Sequence, residues 1–334
     1  MTAVTPDRIF QVANGFMAAK HLFVANEIGL FAALGESSAT LDEVAKRTGV
    51  PRRTLRMVAD AMVALGFLER QGDEYRNTSV SSTFLSGRTP MDLRPALRYW
   101  NRLNYERWAK LEEAVRTDKA VFGDFAFTAE EQQLYSDGVE AITAGTARAL
   151  ATTYDFARHR RLLDLGGGTG SFALAVLRQH THVEATLFDR PAVAALARQR
   201  LAGNPLAARV RTVEGDFFTG ALPDDHDVIL IANVLHNLLP ERNRALLRRV
   251  SASAPDAARL LLVDFWTDQT HAEPLTAALM AGAFLLVSGE GDVYSAEEVG
   301  EWLQATGWRV LERKPLAGPT SLIVAEKAGR QAPR

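Results

Sequence analysis

The sequence predicts an α/β protein in which a Rossmann-like, doubly wound sheet with an antiparallel last strand is preceded by an α-helical domain of winged-helix type. Three observations carry that prediction. Leu162-Leu163-Asp164-Leu165 reads as a short buried strand that runs into Gly166-Gly167-Gly168-Thr169-Gly170 and then into an amphipathic helix over residues 171–180. Strand, glycine loop and helix form the opening unit of a doubly wound sheet. Near the N-terminus, two helical stretches separated by Gly49-Val50-Pro51 are followed by a hairpin pattern. At the other end, strands over residues 308–313 and 321–325 flank Lys314-Pro315-Leu316-Ala317-Gly318-Pro319, a turn that returns the chain antiparallel.

Length and composition agree with a two-part globular protein. The chain has 334 residues, 47% hydrophobic and 23% charged, against a prior of about 150 residues per domain. We place a winged-helix domain at 1–98, a helical bridge at 99–150 and an α/β domain at 151–330. Lys+Arg 38 against Asp+Glu 40 leaves a net charge of −2, which offers no global field for a polyanion. The absence of cysteine removes thiolate nucleophiles and Cys-containing metal sites. Asp7, Arg8, Lys20 and His21 interrupt the first apolar stretch, so no secretion signal is read. Apolar runs such as 260–263 and 277–287 fall short of the ~18–20 residues of a bilayer span. A soluble, cytoplasmic protein is expected.

Residues 10–34 read as one or two helices that are apolar on more than one stripe, whereas a surface helix of a monomer is apolar on one. The excess predicts burial by a second chain. Thr40 and Glu43 form a capping box that starts a helix, and residues 52–65 restart one with Leu55, Val58, Ala59, Met62 and Leu65 at helical spacing. Residues 66–77 supply the wing. Arg52, Arg53 and Arg56 stand where a winged helix touches DNA, but Asp42, Glu43 and Asp60 surround them, so a regulator that senses an adenosyl ligand is the lesser alternative. Residues 91–150 read as helical, and most of Trp100, Tyr105, Trp108, Phe122, Phe125, Phe127 and Tyr135 are expected in the core. The tail after Lys327 reads as frayed.

Chemistry is concentrated in the first α/β unit. Glycines at 166, 168 and 170 let the polar end of a ligand approach the main chain beside the free amides of a helix N-terminus. The next strand, residues 183–189, ends in Asp189 about 20 residues on, where a carboxylate accepts from both hydroxyls of a ribose. A third strand at 210–213 leads to Gly215-Asp216-Phe217; an acid beside an aromatic suits the amino edge and face of adenine. Together these predict an adenosine-containing ligand, either NAD or S-adenosylmethionine. The dinucleotide fingerprint places its third glycine at position 171, which here is Ser171, and this weighs against NAD.

The Asp164-x-Gly-x-Gly-x-Gly spacing with Gly215-Asp216-Phe217 resembles the class I S-adenosylmethionine-dependent methyltransferases. Over nearly the whole chain, the order of winged helix, helical bridge, Phe188-Asp189-Arg190-Pro191, Gly215-Asp216-Phe217-Phe218 and Val234-Leu235-His236-Asn237-Leu238-Leu239-Pro240-Glu241 looks like the plant-type small-molecule O-methyltransferases and their bacterial natural-product relatives. The resemblance implies the class I methyltransferase fold, S-adenosylmethionine as methyl donor with S-adenosylhomocysteine as product, and a small aromatic acceptor. It implies a cofactor site of Gly166, Gly168, Gly170, Asp189, Arg190, Asp216, Phe217 and Asn233. A homodimer is implied as well, the helix over residues 274–287, with Met280, Phe284 and Leu286, forming an acceptor wall against an N-terminal helix of the partner. Neither nucleic acid nor membrane is expected as a partner.

In that family a histidine past the fourth strand, in a His-Asp-Trp-x-Asp setting, is the general base, and His236 occupies its place. The strands at 227–232 and 259–264 frame it, and Asp264 replaces the acid that follows the fifth strand. A phenol with pKa ~10 is a poor nucleophile while protonated, and an imidazole, with reference value ~6.5, can take its proton at neutral pH. Asp264 would orient the ring as the carboxylate does in a Ser-His-Asp arrangement. The chain departs from the pattern at Asn237 and Leu238, and Val293-Tyr294-Ser295 stands where the family has Glu-Arg-Thr. One of two flanking acids is therefore missing, and Glu290 or Asp292 is the nearest replacement. C- or N-methylation on the same scaffold is the nearest alternative reaction. The bland reading of His236 is a cap for the helix starting at Pro240. Histidines 21, 159, 180, 182, 226 and 271 are read as surface residues, and no metal-ligand spacing is present.

Overall fold

The computed structural model describes residues 4–121 and 127–328, and by contacts the chain divides into two compact units. One comprises residues 1–106 and 130–142, the other residues 107–129 and 143–334. Phe122, Phe125 and the tail beyond Ala328 lie outside the described residues.

In the first unit, residues 10–34 form parts of three helices, Asp7–Ala13, Gly15–Glu27 and Leu30–Leu34, rather than one or two. Gly29, at φ 72°, supplies the left-handed turn before the third. Helices Leu41–Thr48 and Arg52–Ala64 follow, the first opened by the Thr40–Glu43 capping box and closed by Gly49 in the left-handed region. Strands β1 (Ala39–Thr40), β2 (Leu68–Gln71) and β3 (Glu74–Asn77) pair in the antiparallel order β1-β3-β2. Leu41, Val44, Leu55, Ala59, Met62, Leu68 and Tyr75 meet in the core at 2% exposure or less. This order of two helices and a hairpin is compatible with the winged arrangement that the sequence predicts. Arg52 pairs with Asp42 at 2.8 Å and Asp73 at 3.4 Å, and Arg56 with Asp60 at 3.0 Å. Intradomain carboxylates thus engage two of the three arginines offered for DNA contact.

The second unit is built on a seven-stranded sheet in the order β6-β5-β4-β7-β8-β10-β9. Its strands are β4 (Arg161–Leu165), β5 (Glu184–Asp189), β6 (Val210–Glu214), β7 (Val228–Ala232), β8 (Arg259–Asp264), β9 (Trp308–Pro315) and β10 (Ser321–Lys327). The first five are parallel and β10 runs antiparallel to both β8 and β9. The last two strands are longer than predicted: Lys314 and Pro315 pair within the ladder, and the turn is confined to residues 316–320. Val228 to Ala232 are all buried, as a parallel strand covered on both faces requires. Successive strands leave β4 in opposite directions, so the switch point, where doubly wound sheets bind ligands, lies between the carboxyl ends of β4 and β7.

Two expectations about packing fail. Among the described bridge aromatics none is fully buried: Trp100 and Trp108 are each 38% exposed, and Tyr105, Phe127 and Tyr135 are half-buried. Trp100, Tyr105 and Trp108 lie on the short segments Trp100–Asn104 and Tyr105–Trp108, Tyr135 on the helix Ala129–Thr153, and Phe127 outside any helix. His159 and His226 are not surface residues but buried at 8% and 7% exposure. His159 bonds the Tyr154 hydroxyl at 2.9 Å and faces Asp227 at 3.5 Å, and His226 bonds Thr186 Oγ1 at 2.9 Å. Side-chain partners that no helical or strand spacing announces engage both rings, while His226 Nδ1 stays buried without one.

Among the described residues, no helix is long and apolar enough to cross a membrane.

Candidate active site

The glycine loop leaves β4 between Leu165 and the helix Ser171–Gln179. Its glycines serve different ends. A Cβ on Gly166 would lie 2.6 Å from Val234 and 3.1 Å from Phe217, so this glycine admits protein rather than ligand. Gly170 likewise abuts Leu187 at 3.0 Å. Gly168, at φ 57°, has nothing within 4 Å of that position, and only here does the backbone face open space. The Gly168 amide donates to Asp189 Oδ2 at 2.9 Å, and the Arg190 amide donates to Oδ1 at 2.7 Å. Burial pushes the Asp189 carboxyl up from its ordinary value, against these two donors.

Asn233 follows β7 at φ 56°, with its amide bonded to the Val263 carbonyl at 2.8 Å. Its Oδ1 is buried without a partner. A left-handed non-glycine residue that presents an orphaned acceptor at the sheet's switch point is strained for a reason, and a donor on a ligand supplies one. Phe217 lies against Phe188, ring centroids 6.1 Å apart at 30°. Asp216 is exposed, and its Oδ1 accepts the amides of Phe218 and Thr219, leaving Oδ2 for a ligand. Arg190 is exposed. The open backbone at Gly168, the Asp189 carboxylate and the orphaned Asn233 oxygen fit an adenosyl ligand that carries a ribose diol and an ammonium group.

His236 sits in the 3-10 turn Leu235–Asn237 at 7% exposure. Its Nδ1 lies 2.5 Å from Asp264 Oδ1 at the end of β8, and Asp264 is itself 1% exposed. With Nδ1–H donating to the carboxylate, Nε2 carries the lone pair. No described protein group bonds Nε2. Phe284, from the helix Leu275–Ser288, lies flat on the imidazole with centroids 3.6 Å apart and planes at 10°. Phe265 stands 6.1 Å away at 56°. His236 does not cap the following helix, whose N-cap is Leu239 with no side-chain bond.

The proposed substitutes for the missing acid do not reach the ring. Glu290 pairs with Arg242 at 2.8 Å. Asp292 donates its amide to the His236 carbonyl at 3.0 Å, while its carboxylate accepts the Val293 amide. Neither carboxylate bonds the imidazole among the described residues. Leu286 is also corrected: at 1% exposure it is core and not acceptor wall, whereas Met280 is half-buried.

Sequence reasoning passed over the clamp on this turn. Asn243 is fully buried and donates through Nδ2 to the carbonyls of Leu235 at 2.9 Å and Leu238 at 3.1 Å. The Tyr294 hydroxyl donates to Leu238 as well, at 2.5 Å. A signal was available: Asn243 is in phase with buried Leu246, Leu247 and Val250 of helix Pro240–Ser253, and a polar residue on an apolar stripe demands a partner.

Residues 108–309 match the O-methyltransferase domain model and residues 10–87 the O-methyltransferase dimerisation domain model. The 3-hydroxy-5-methyl-1-naphthoate 3-O-methyltransferase of Streptomyces sahachiroi is 32% identical over 94% of this chain and 92% of its own. The N,N-dimethyltransferase OxyT of Streptomyces rimosus is 30% identical over 96% of each. The crystal structure of human N-acetylserotonin methyltransferase in complex with S-adenosylmethionine superposes with a TM-score of 0.87 at 26% identity, covering 98% of this chain and 99% of that one. Fold and site together define a class I, S-adenosylmethionine-dependent methyltransferase. The chain belongs to the O-methyltransferase family that carries this dimerisation domain.

Proposed function

We propose that the enzyme methylates a phenolic hydroxyl of a small planar aromatic acceptor, with His236 as general base. The observation that carries this reading is the buried His236–Asp264 pair, which leaves Nε2 unbonded beside Phe265 and Phe284. S-adenosylmethionine, when bound, supplies an electrophilic methyl group with a neutral leaving group. Gly168 offers its open backbone, Asp189 accepts from the ribose diol, Asn233 Oδ1 takes the ammonium, and Asp216 and Phe217 face the adenine. Gly166 and Gly170 shape the loop, and Arg190 flanks it. His236 Nε2 accepts the hydroxyl proton as the oxygen becomes nucleophilic, and Asp264 holds the ring and balances the imidazolium. The apolar rings exclude water and leave the acceptor little else to bond.

We assign the assembly as a homodimer through the N-terminal helices, in support of which Ile9, Phe10, Val12 and Phe16 are 55–70% exposed on the first two helices and residues 10–87 match a dimerisation domain. An amine acceptor is the second reading, favoured by the OxyT relative. The deciding experiment offers 3-hydroxy-5-methyl-1-naphthoate and serotonin, which carries both a phenol and an amine, with labelled methyl donor to the wild type and to His236→Ala. Turnover should fall ~10²–10⁴-fold in the variant while S-adenosylhomocysteine affinity is unchanged. Undiminished turnover removes the general base, and label on nitrogen removes the phenol.

A further inference from the structure

We propose that Phe284 is a positioning residue for the base, its ring holding the His236 imidazole in the orientation that the family assigns to a second flanking acid. The inference rests on the reading of His236 as general base. The torsion of an imidazole about its Cβ–Cγ bond is broad, and a single hydrogen bond from Nδ1 to Asp264 restrains it at one edge only, so Nε2 is held no more tightly than that bond tolerates. A second contact on the ring narrows the torsion further. Among the described residues the second contact is not polar: Val293-Tyr294-Ser295 offers no acid, Glu290 is taken by Arg242, and Asp292 meets only the main chain of His236.

What lies against the ring instead is Phe284, 3.6 Å away and within 10° of parallel. Phe284 is 7% exposed, and the helix that carries it is itself closely backed, since Gly282 lies against Trp108 and Leu111 so tightly that a Cβ would meet them at 3.2 and 3.4 Å. The aromatic face is thus a fixed wall and not a loose side chain. Rotation of the imidazole out of plane would drive its edge into that wall. The same face presents the negative side of its quadrupole to the ring when the ring carries a proton, so the contact serves the charged state as well as the neutral one.

The test reads the base directly. In proton NMR of the full-length enzyme, the Nδ1 proton in the 2.5 Å bond to Asp264 should give a resonance far downfield of the amides, and His236→Ala should abolish it. Phe284→Leu should speed exchange of that proton with water and lower turnover of 3-hydroxy-5-methyl-1-naphthoate about tenfold or more through misalignment of the base, with S-adenosylhomocysteine affinity kept as the measure of an intact fold. The deficit should shrink toward pH ~10, where a phenol ionises unaided, and a purely structural lesion would not recover there. Phe284→Tyr, which keeps the ring, should restore both readouts. Wild-type exchange and turnover in Phe284→Leu would overturn the positioning role while His236→Ala still reports on the base, and so would equal losses in the Leu and Tyr variants. Full turnover in His236→Ala would overturn the base itself.

Discussion

Asp264 Oδ1 and His236 Nδ1 lie 2.5 Å apart, joining the end of β8 to the turn that follows its parallel neighbour β7. The same oxygen accepts the Phe265 amide at 2.9 Å, and Oδ2 faces the His236 amide at 3.4 Å. An amide side chain cannot serve all three donors, because either orientation turns an NH₂ toward an N–H. Asp264→Asn should therefore favour the tautomer with the proton on Nε2 and lower kcat by ~10²–10⁴-fold, the scale of the corresponding change in a serine protease triad. Steady-state kinetics beside S-adenosylhomocysteine calorimetry checks this; a variant with wild-type kcat would show that the carboxylate does not set the tautomer.

Asn243 ties the turn from beneath. Its replacement by Leu keeps the apolar stripe of the helix but leaves the Leu235 carbonyl without this donor and Leu238 with Tyr294 alone. Each carbonyl keeps a second donor, the Leu238 amide at 3.2 Å and the Tyr294 hydroxyl, so the loss is that of two hydrogen bonds at about 0.5–1.5 kcal/mol each. Urea unfolding should register that loss, and turnover should fall with it because the same turn carries His236.

How much of this was legible depends on range. Asp264 enters only through the family resemblance, whereas the strands, the glycine loop and Asp189 declare themselves through local pattern, because apolar runs end at fixed chemistry. The helix Leu41–Thr48 was legible through its capping box and Gly49 for the same reason. Phe284 on His236 spans the interval from β7 to a helix whose sequence is apolar on every side, so no periodicity marks which ring faces the site. Glu290 and Asp292 misled because proximity along the chain was taken for proximity of carboxylates, whereas Arg242 engages the first and the Val293 amide the second.

The cofactor loop makes a graded prediction. Asp189→Ala removes charge-assisted acceptors, worth ~1.5–3 kcal/mol, so S-adenosylhomocysteine should bind roughly 10–100-fold more weakly by calorimetry. Gly168→Val should weaken it further, since its φ of 57° resists a branched side chain and the open space at this position would be filled. Unaltered affinity in both would place the ligand elsewhere.

Phe10 and Phe16 are 59% and 55% exposed on helices that bury little of their own. If a second copy covers them, light scattering at micromolar concentration should report a dimer for the wild type and a monomer for Phe10→Glu/Phe16→Glu, since charges in an apolar interface are costly to desolvate. A monomeric wild type would remove the assignment.

Stability against pH should be set by two opposed sets of buried groups. Desolvation by burial lowers His159 and His226 below the ordinary histidine value, so the folded state prefers them neutral. Their contribution is whole above pH ~6.5 and is lost as pH falls below it, because the unfolded chain then binds protons that the fold does not. Asp164 acts the other way. Burial pushes its carboxyl up to about 7, against one amide from Ala173 at 3.2 Å. The fold therefore holds a proton there that the unfolded chain gives up above pH ~3.9, and the stability it contributes declines as pH rises toward 7. Both effects fall in the same window, so the wild-type slope is their difference. Urea midpoints at about pH 5.5 and 7.5 separate them. His226→Asn should lose less stability on acidification than the wild type, and Asp164→Asn should lose more. If His226→Asn keeps the wild-type difference between the two midpoints, the buried imidazole is not what couples this fold to protons.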